Sequence, residues 1–355
     1  MLKHLKTTLL ASAFALAGMG NAQAEDIRLR IASGHPAANT YVNLMQTFFV
    51  PEVTKRVAAR TSHKVEFVEA YGGAMVKTAD TLEGVQSGIV DIGGYCFCFE
   101  PSNLPLHSFQ VMLPFGTMSP VNSVKLARSV YDKVPYLSKV FEDKYNQTLI
   151  ALAADNGYNL GTTFDWNTVG ELKGRKLAGA GLNLKWLEYA GAVPVQSSLP
   201  DAYTSMQTGV YSGWIMFPSG WVNFKLHEVA KHYTEVGFGA ITWHGLTINK
   251  ARFARLPRDV QNILLEVGRE YEAKTGTVNE ENYAKQLAQL KTLGVSVKSV
   301  PESVRVEWAG SLKGWPQAHA ADLDKQGLPA SQVLKLTLGE AEKLGHKWPV
   351  RYQVK

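Results

Sequence analysis

Cysteine is almost absent from this chain of 355 residues, which contains only Cys96 and Cys98. A small scaffold held together by several disulfides is therefore excluded. One residue separates the two cysteines, which lie in an apolar segment that we predict to be a strand. Side chains two positions apart on a strand point the same way, which is poor geometry for a disulfide, and two thiolates alone do not complete a zinc site. We expect two free, half-buried thiols.

Clustered positive charge is missing as well. Lys and Arg number 37 against 31 Asp and Glu, giving a formal net charge of +6, yet no group of five or more basic residues occurs. Proteins that bind nucleic acid concentrate their positive charge on a stripe or patch. We therefore expect no nucleic-acid partner.

Long hydrophobic runs are also absent, apart from a short one at the N-terminus. Two lysines precede the apolar residues 9–16, and the small-residue sequence Ala22-Gln23-Ala24 follows, which together are typical of a secretory signal peptide. We predict that residues 1–24 are removed and that the mature chain begins at Glu25 in the periplasm. Losing two lysines lowers the net charge to +4. No later segment approaches 18 uninterrupted apolar residues, so no membrane span is expected.

Signatures of catalysis are absent too. The chain has no G-x-S-x-G nucleophile elbow, no phosphate-binding G-x-x-x-x-G-K-[ST] loop and no H-E-x-x-H zinc helix. Its nine histidines are scattered. We expect no catalytic site, no metal and no cofactor. An exported α/β enzyme remains an alternative that would need a nucleophile with its base, or a metal constellation.

What the sequence does contain is an alternation of strand and helix patterns. Residues 27–32 and 64–70 alternate with period two, whereas residues 41–59 and 78–90 have helical spacing. An apolar run over residues 92–99 completes a βαβαβ opening. This pattern favours a sheet with parallel strands and a ligand crevice at the strand ends.

A second α/β unit follows a boundary that we place near residue 147. Residues 148–154, 175–178 and 193–196 are predicted strands. From Pro257, helical spacing continues for roughly 30 residues and predicts one long helix.

Two glycines, Gly179 and Gly181, stand between a predicted strand and a predicted helix. They match half of a dinucleotide-binding fingerprint, with Leu184 in place of the third glycine. The match is too weak for a nucleotide site. It does allow backbone N–H groups to approach a small polar or anionic ligand.

Five segments, in this order and spacing, resemble the DctP-type periplasmic solute-binding proteins of TRAP transporters. They are residues 85–91 (VQSGIVD), 112–115 (MLPF), 172–177 (LKGRKL), 202–209 (AYTSMQTG, with Gly213 following) and 248–257 (INKARFARLP). With the signal peptide and the long helix, the resemblance covers about residues 27–310.

The resemblance implies an α/β, two-lobed periplasmic binding protein fold of the type II-like kind. Each lobe is then a mixed sheet flanked by helices, with a long helix spanning both. We expect lobe I to comprise residues 25–147, about 238–256 and part of the C-terminal region, and lobe II residues 148–237. The spanning helix then covers about 257–293, and residues 294–355 pack on the lobes as a strand and helices.

The resemblance also implies partners. Receptors of this kind bind a small organic molecule between their lobes and deliver it to a small and a large membrane subunit, which use an ion gradient. We expect a monomer in this role. A sensory binding protein is an alternative.

At the positions that hold the ligand, the chain departs from the family it resembles. In the family an arginine after the L-K-G-x-K-[IL] motif clamps a ligand carboxylate, and this chain has Ala178 there. A second arginine follows an N-G-x pattern, and Asn159 replaces it. The asparagine that ends the family's D-G-Q-E-N run is replaced by Met216.

These departures favour a small apolar, aromatic or cationic ligand, held by stacking or cation–π contact, because a buried carboxylate without its partner is costly. An organic acid held by the amides of residues 179–183 and a displaced Lys176 is the alternative. The predicted ligand-binding residues are His35, Thr78, Tyr95, Cys96, Asp155, Asn159, Ala178, Gly181, Trp214, Met216, Phe217 and Trp243.

Overall fold

The structure is a computed structural model that describes residues 24–355. The predicted signal peptide, except its last residue, lies outside the described residues. Within them the strands are β1 (Asp26–Ala32), β2 (Lys64–Ala70), β3 (Ile92–Cys96), β4 (Gln147–Thr162), β5 (Lys176–Gly179), β6 (Val193–Gln196), β7 (Gly213–Met216), β8 (His232–Asn249) and β9 (Ser296–Ser299).

The α-helices surround the sheet that these strands form. They are α1 (Thr40–Leu44), α2 (Val50–Arg60), α3 (Thr81–Gln86), α4 (Pro120–Lys133), α5 (Tyr136–Lys144), α6 (Leu184–Tyr189), α7 (Leu199–Gln207), α8 (Pro218–Asn223), α9 (Leu226–Val229), α10 (Lys250–Ala254), α11 (Arg258–Thr292), α12 (Glu302–Ser311), α13 (Trp315–Asp324) and α14 (Ala330–Lys343). A π-helical turn, Met45–Phe49, joins α1 to α2. Within residues 24–355 no helix has the length and apolar character needed to span a bilayer.

The strands form one sheet in the order β2-β1-β3-β8-β4-β7-β5-β6, with β9 added to β8. One half contains β2, β1 and β3, and the other contains β7, β5 and β6. The long antiparallel strands β4 and β8 pass through both halves. The α/β class and the two-lobed arrangement are therefore confirmed, whereas the lobe boundaries stay a prediction.

Strands β4 and β8 are irregular where the halves meet. Their register shifts between Ala154 and Gly157 and again between Tyr158 and Leu160. On β8, Gly237 and Gly239 have φ angles of 74° and 116°, which favour glycine. Bulges bend and twist a strand, so the sheet changes direction here.

Helix α11 connects the two halves from behind. It has 35 residues, which corresponds to roughly 50 Å at about 1.5 Å per residue. It packs on α2 of the first half, on α8 of the second and on β4 between them.

Candidate functional site

A cavity lies where the two halves of the sheet meet, with about 370 Å³ of empty space that is partly open to solvent. Among residues 24–355, no lysine or arginine lines it. The lining residues are His35, Asn39, Cys96, Cys98, Phe99, Asp155, Tyr158, Ala180, Asn183, Ser197, Ser198, Leu199, Trp214, Ile215, Met216, Phe217, Trp243 and His244.

The polar end of the cavity is built around Asp155. This residue lies in the bulged part of β4 and is 3% exposed. Its Oδ2 accepts hydrogen bonds from the Tyr158 hydroxyl at 2.6 Å and from Trp243 Nε1 at 2.7 Å. Nδ1 of His244 lies 3.3 Å from the same oxygen.

Burial raises the pKa of Asp155 from 3.8 to about 7, and the two hydrogen bonds oppose this shift without cancelling it. The carboxyl therefore changes charge near neutral pH. Within residues 24–355, no group of three or more His, Cys, Asp and Glu side chains is arranged to hold a metal ion.

Two histidines face the cavity beside this carboxyl. His35 Nδ1 lies 2.9 Å from the Tyr41 hydroxyl, and the rings of Tyr41 and His244 have their centroids 4.5 Å apart. Burial lowers the pKa of both histidines to about 3, and the neighbouring His244 adds to the effect at His35. Both imidazoles are therefore neutral at physiological pH, so neither supplies a positive charge to Asp155.

Aromatic side chains form the wall next to Asp155. The ring of Tyr158 meets those of Phe217 and Trp243 edge-on, with centroids 5.1 Å and 5.8 Å away. Trp214 is 1% exposed and lies on β7. Such rings provide a large apolar contact area and favour edge-on packing.

The prediction of free thiols is wrong, because Cys96 and Cys98 form a disulfide with their Cα atoms 5.1 Å apart. Strand β3 ends at Cys96, and Phe97–Phe99 form a 3-10 turn. The two side chains therefore no longer point the same way, as they would on a continued strand. Both residues are buried rather than half-buried, and both line the cavity.

Seven of the twelve predicted site residues come together at the cavity. They are His35, Cys96, Asp155, Trp214, Met216, Phe217 and Trp243. That they contact a ligand stays a prediction.

Three of the remaining five have other roles in the fold. Tyr95 points into the core, where its hydroxyl donates to Gln147 Oε1 at 3.0 Å. Asn159 is engaged at both ends of its amide, donating to the Tyr283 hydroxyl at 2.9 Å and accepting from Gly237 N at 2.9 Å. Ala178 is fully buried in β5.

The other two do not line the cavity, since Thr78 lies in a turn and Gly181 begins a 3-10 turn. Thr78 packs its backbone against Gly34, where an added Cβ would lie 2.2 Å from Thr78 N. Gly181 approaches the first half closely, since a Cβ on it would lie 2.6 Å from the carbonyl oxygen of Cys98. Asn223 Nδ2 makes a second contact between the halves, donating to the Ala38 carbonyl at 2.8 Å. The two halves therefore touch at both of these points.

Sequence reasoning missed two residues that shape the polar end, Tyr158 and His244. His244 follows Trp243 directly, and strand alternation assigns neighbours to opposite faces. The register shift that pairs Ala153 with His244 and Ala154 with Thr242 places an extra residue there. No pattern in the sequence marks this bulge. For Tyr158 the sequence offered one weak indication, which is that a hydroxyl-bearing aromatic residue stands three positions after the acidic Asp155.

The anion anchors of the organic-acid alternative are already engaged. Ala180 N donates to Asn183 Oδ1 at 2.8 Å, and Gly181 N donates to Gln196 Oε1 at 3.0 Å. Lys176 is exposed on β5 and does not line the cavity. The amides of Ala180 and Gly181 and the side chain of Lys176 are thus not placed to receive a carboxylate in the cavity.

Comparison with known proteins gives a consistent family. The sequence model described as "Bacterial extracellular solute-binding protein, family 7" (DctP) matches residues 43–320. A solute-binding protein of Albidiferax ferrireducens is 33% identical over 105 residues, which are 29% of this chain and 31% of that protein. The chain thus matches about a third of the length of this curated relative.

Two solved structures show the same fold. A TRAP periplasmic solute-binding protein from Desulfovibrio salexigens, in an open complex, has a TM-score of 0.75 at 24% identity, covering 90% of this chain and 96% of that one. Another, from Bordetella bronchiseptica with bound (R)- and (S)-mandelate, has a TM-score of 0.77 at 24% identity, covering 90% and 99%.

Replacing the buried carboxyl should stabilise the ligand-free protein. Because its folded pKa lies above 3.8, Asp155 binds more protons when folded, so wild-type stability falls as pH rises from about 4 to 7. Asp155→Asn removes this loss and should gain up to ~4 kcal/mol at pH 8 relative to pH 4. Urea unfolding at pH 4, 6 and 8 measures the difference.

The exposed Asp143 provides the matched control for this measurement. Asp143→Asn should change stability little and equally at all three pH values. A stability difference between wild type and Asp155→Asn that stays constant from pH 4 to 8 would contradict the raised pKa.

Proposed function

This chain belongs to the DctP family of bacterial extracellular solute-binding proteins, family 7, and we propose that it is the periplasmic receptor of a TRAP transporter. It captures a small organic molecule between its lobes and delivers it to a small and a large membrane subunit that use an ion gradient. The family is one of solute-binding receptors rather than enzymes. Export through the N-terminal signal peptide places the receptor in the periplasm.

The observation that carries this proposal is the cavity between the two halves of the sheet. Residues from both halves line it, Cys96 and Cys98 from the first and Trp214 and Phe217 from the second. A ligand that contacts both halves binds the closed arrangement more tightly than an open one, and so shifts the equilibrium towards closure. Membrane subunits then have a closed, loaded form to recognise.

The lining supports a ligand held by aromatic contact and not by an arginine. No Lys or Arg of the described part of the chain lines the cavity, and Asp155 does. The positions at which the resemblance expects carboxylate anchors hold Ala178, Asn159 and Met216. The Bordetella relative binds mandelate, an acid, and we propose that this chain differs from it in ligand class.

A small molecule should accompany the protein through purification from its native periplasm, and Trp214→Ala should weaken its binding. The substitution removes a large ring from the cavity wall, which we expect to lower affinity about 10- to 100-fold. Native mass spectrometry gives the occupancy, and dialysis followed by titration gives the affinity.

Trp348→Ala is the control for this experiment, because Trp348 is only partly buried and lies in the C-terminal segment away from the cavity. It should retain wild-type occupancy. If neither a co-purified molecule nor any compound of a periplasmic extract stabilises the wild-type protein, the receptor function is wrong.

Gly181→Ala should hinder closure. The new methyl group would lie 2.6 Å from the Cys98 carbonyl oxygen, which is closer than such atoms pack, so the two halves must separate. We expect a loss of ligand occupancy of tenfold or more by native mass spectrometry.

Gly174→Ala is matched to this variant in backbone conformation. Gly174 has a φ of +73° against +58° for Gly181, and an added Cβ meets nothing within 4 Å. Both variants pay the strain of a left-handed residue, but only Gly181→Ala opposes closure. Equal occupancy of the two variants would show that closure at Gly181 is not required for binding.

A further inference from the structure

We propose that the ligand carries a protonated primary or secondary amine and that Asp155 is its anchor. This inference rests on the proposed receptor function and names the ligand class for the same cavity. It is carried by the hydrogen bonding of one carboxyl group and by the charges around it.

The hydrogen bonds of Asp155 are unevenly distributed over its two oxygens. Tyr158 and Trp243 both donate to Oδ2, at 2.6 Å and 2.7 Å. Among residues 24–355, Oδ1 receives no hydrogen bond. Oδ1 is not one of the fully buried side-chain atoms that lack a partner, so a group in the cavity can reach it. A ligand N–H group directed at Oδ1 would supply the hydrogen bond that this oxygen lacks.

Among the residues that the structure describes, no Lys or Arg lines the cavity to pair with Asp155. Two histidines of the cavity could become cationic, and Nδ1 of His244 lies 3.3 Å from Asp155 Oδ2, but burial lowers the pKa of both histidines to about 3. A buried carboxylate is stabilised by a positive partner, and a ligand ammonium supplies both the charge and the N–H.

The aromatic wall suits the same ligand. Tyr158 packs edge-on against both Trp243 and Phe217 next to the carboxyl. Aromatic rings attract cations through their quadrupole and also accept the apolar part of an amine. An acid of the same shape would instead bring a second negative charge to Asp155. A quaternary ammonium keeps the positive charge but has no N–H for Oδ1, so we expect it to bind less tightly.

The probes for this inference are 2-phenylethylamine, its trimethylammonium analogue and 3-phenylpropionate, which share a phenylethyl group and differ at the polar end. Calorimetric titration at pH 8 should give the tightest binding for the amine, at least tenfold weaker binding for the quaternary analogue, and at least 100-fold weaker binding for the acid. Equal or tighter binding of the acid would overturn the inference.

Asp155→Asn should lower the affinity for the amine at least tenfold, and Asp143→Asn should leave it unchanged. The Asn side chain can still accept the bonds from Tyr158 and Trp243, so the cavity keeps its shape. Wild-type affinity in Asp155→Asn would overturn the assignment of Asp155 as anchor.

A pH series on the wild-type protein tests the anchor without any substitution. The groups that face Asp155 are Tyr158 on β4, His244 on β8, His35 after β1, Tyr41 on α1 and Tyr271 on α11. The pKa values of the tyrosines are raised and those of the histidines lowered by burial, so none of these groups titrates between pH 5 and 8.

Amine binding must therefore release the proton of Asp155 below neutral pH. With a pKa of about 7, affinity should be steady above pH 8 and fall about tenfold per pH unit below pH 6. An affinity independent of pH between 5 and 8 would contradict this linkage. If a co-purified ligand proves to be an acid, the amine inference fails while the receptor function stands.

Discussion

The structure depends on a set of buried polar contacts between helix α11 and the bulged segment of β4. Thr275 Oγ1 accepts from Ala154 N at 3.1 Å, and Asn279 Nδ2 donates to the Ala154 carbonyl at 2.8 Å. Asn156 Nδ2 returns a bond to the Asn279 carbonyl at 2.7 Å. A bulge leaves backbone groups without partners in the sheet, and buried groups of this kind must be satisfied elsewhere. Helix side chains satisfy them here.

These hydrogen bonds also fix the position of the residue between Ala154 and Asn156. Asp155 lies between Ala154 and Asn156, so the helix contacts on both neighbours decide the direction of its carboxyl. One turn earlier, Glu272 of the same helix accepts from Leu152 N at 3.0 Å and pairs with Arg128 at 2.7 Å. The helix that joins the two halves therefore also positions the polar end of the cavity. The same hydrogen bonds therefore stabilise the fold and set the geometry of the site.

Regular patterns made much of this fold predictable. Period-two alternation identified the strands around residues 27–32 and 64–70, and helical spacing identified the long helix. The resemblance to the family placed Asp155, Trp214 and Met216 near one crevice. Where the backbone leaves a regular period, prediction failed. The 3-10 turn after Cys96 turned two expected thiols into a disulfide, and the bulge opposite Ala154 brought His244 to the same cavity as Trp243.

The net positive charge of the sequence does not extend to the lining of the cavity. The sequence has six more basic than acidic residues, yet none of the lysines and arginines in residues 24–355 lines the cavity, whereas Asp155 does. Several arginines are instead held by carboxylates away from the cavity, as Arg56 is by Glu266 and Glu270. A buried carboxyl whose pKa is raised towards 7 destabilises the folded protein at neutral pH. Destabilising ionisable groups of this kind concentrate at functional sites, because the missing interaction is made by the ligand. The net positive charge of the chain therefore lies outside a cavity whose acidic lining residue is Asp155.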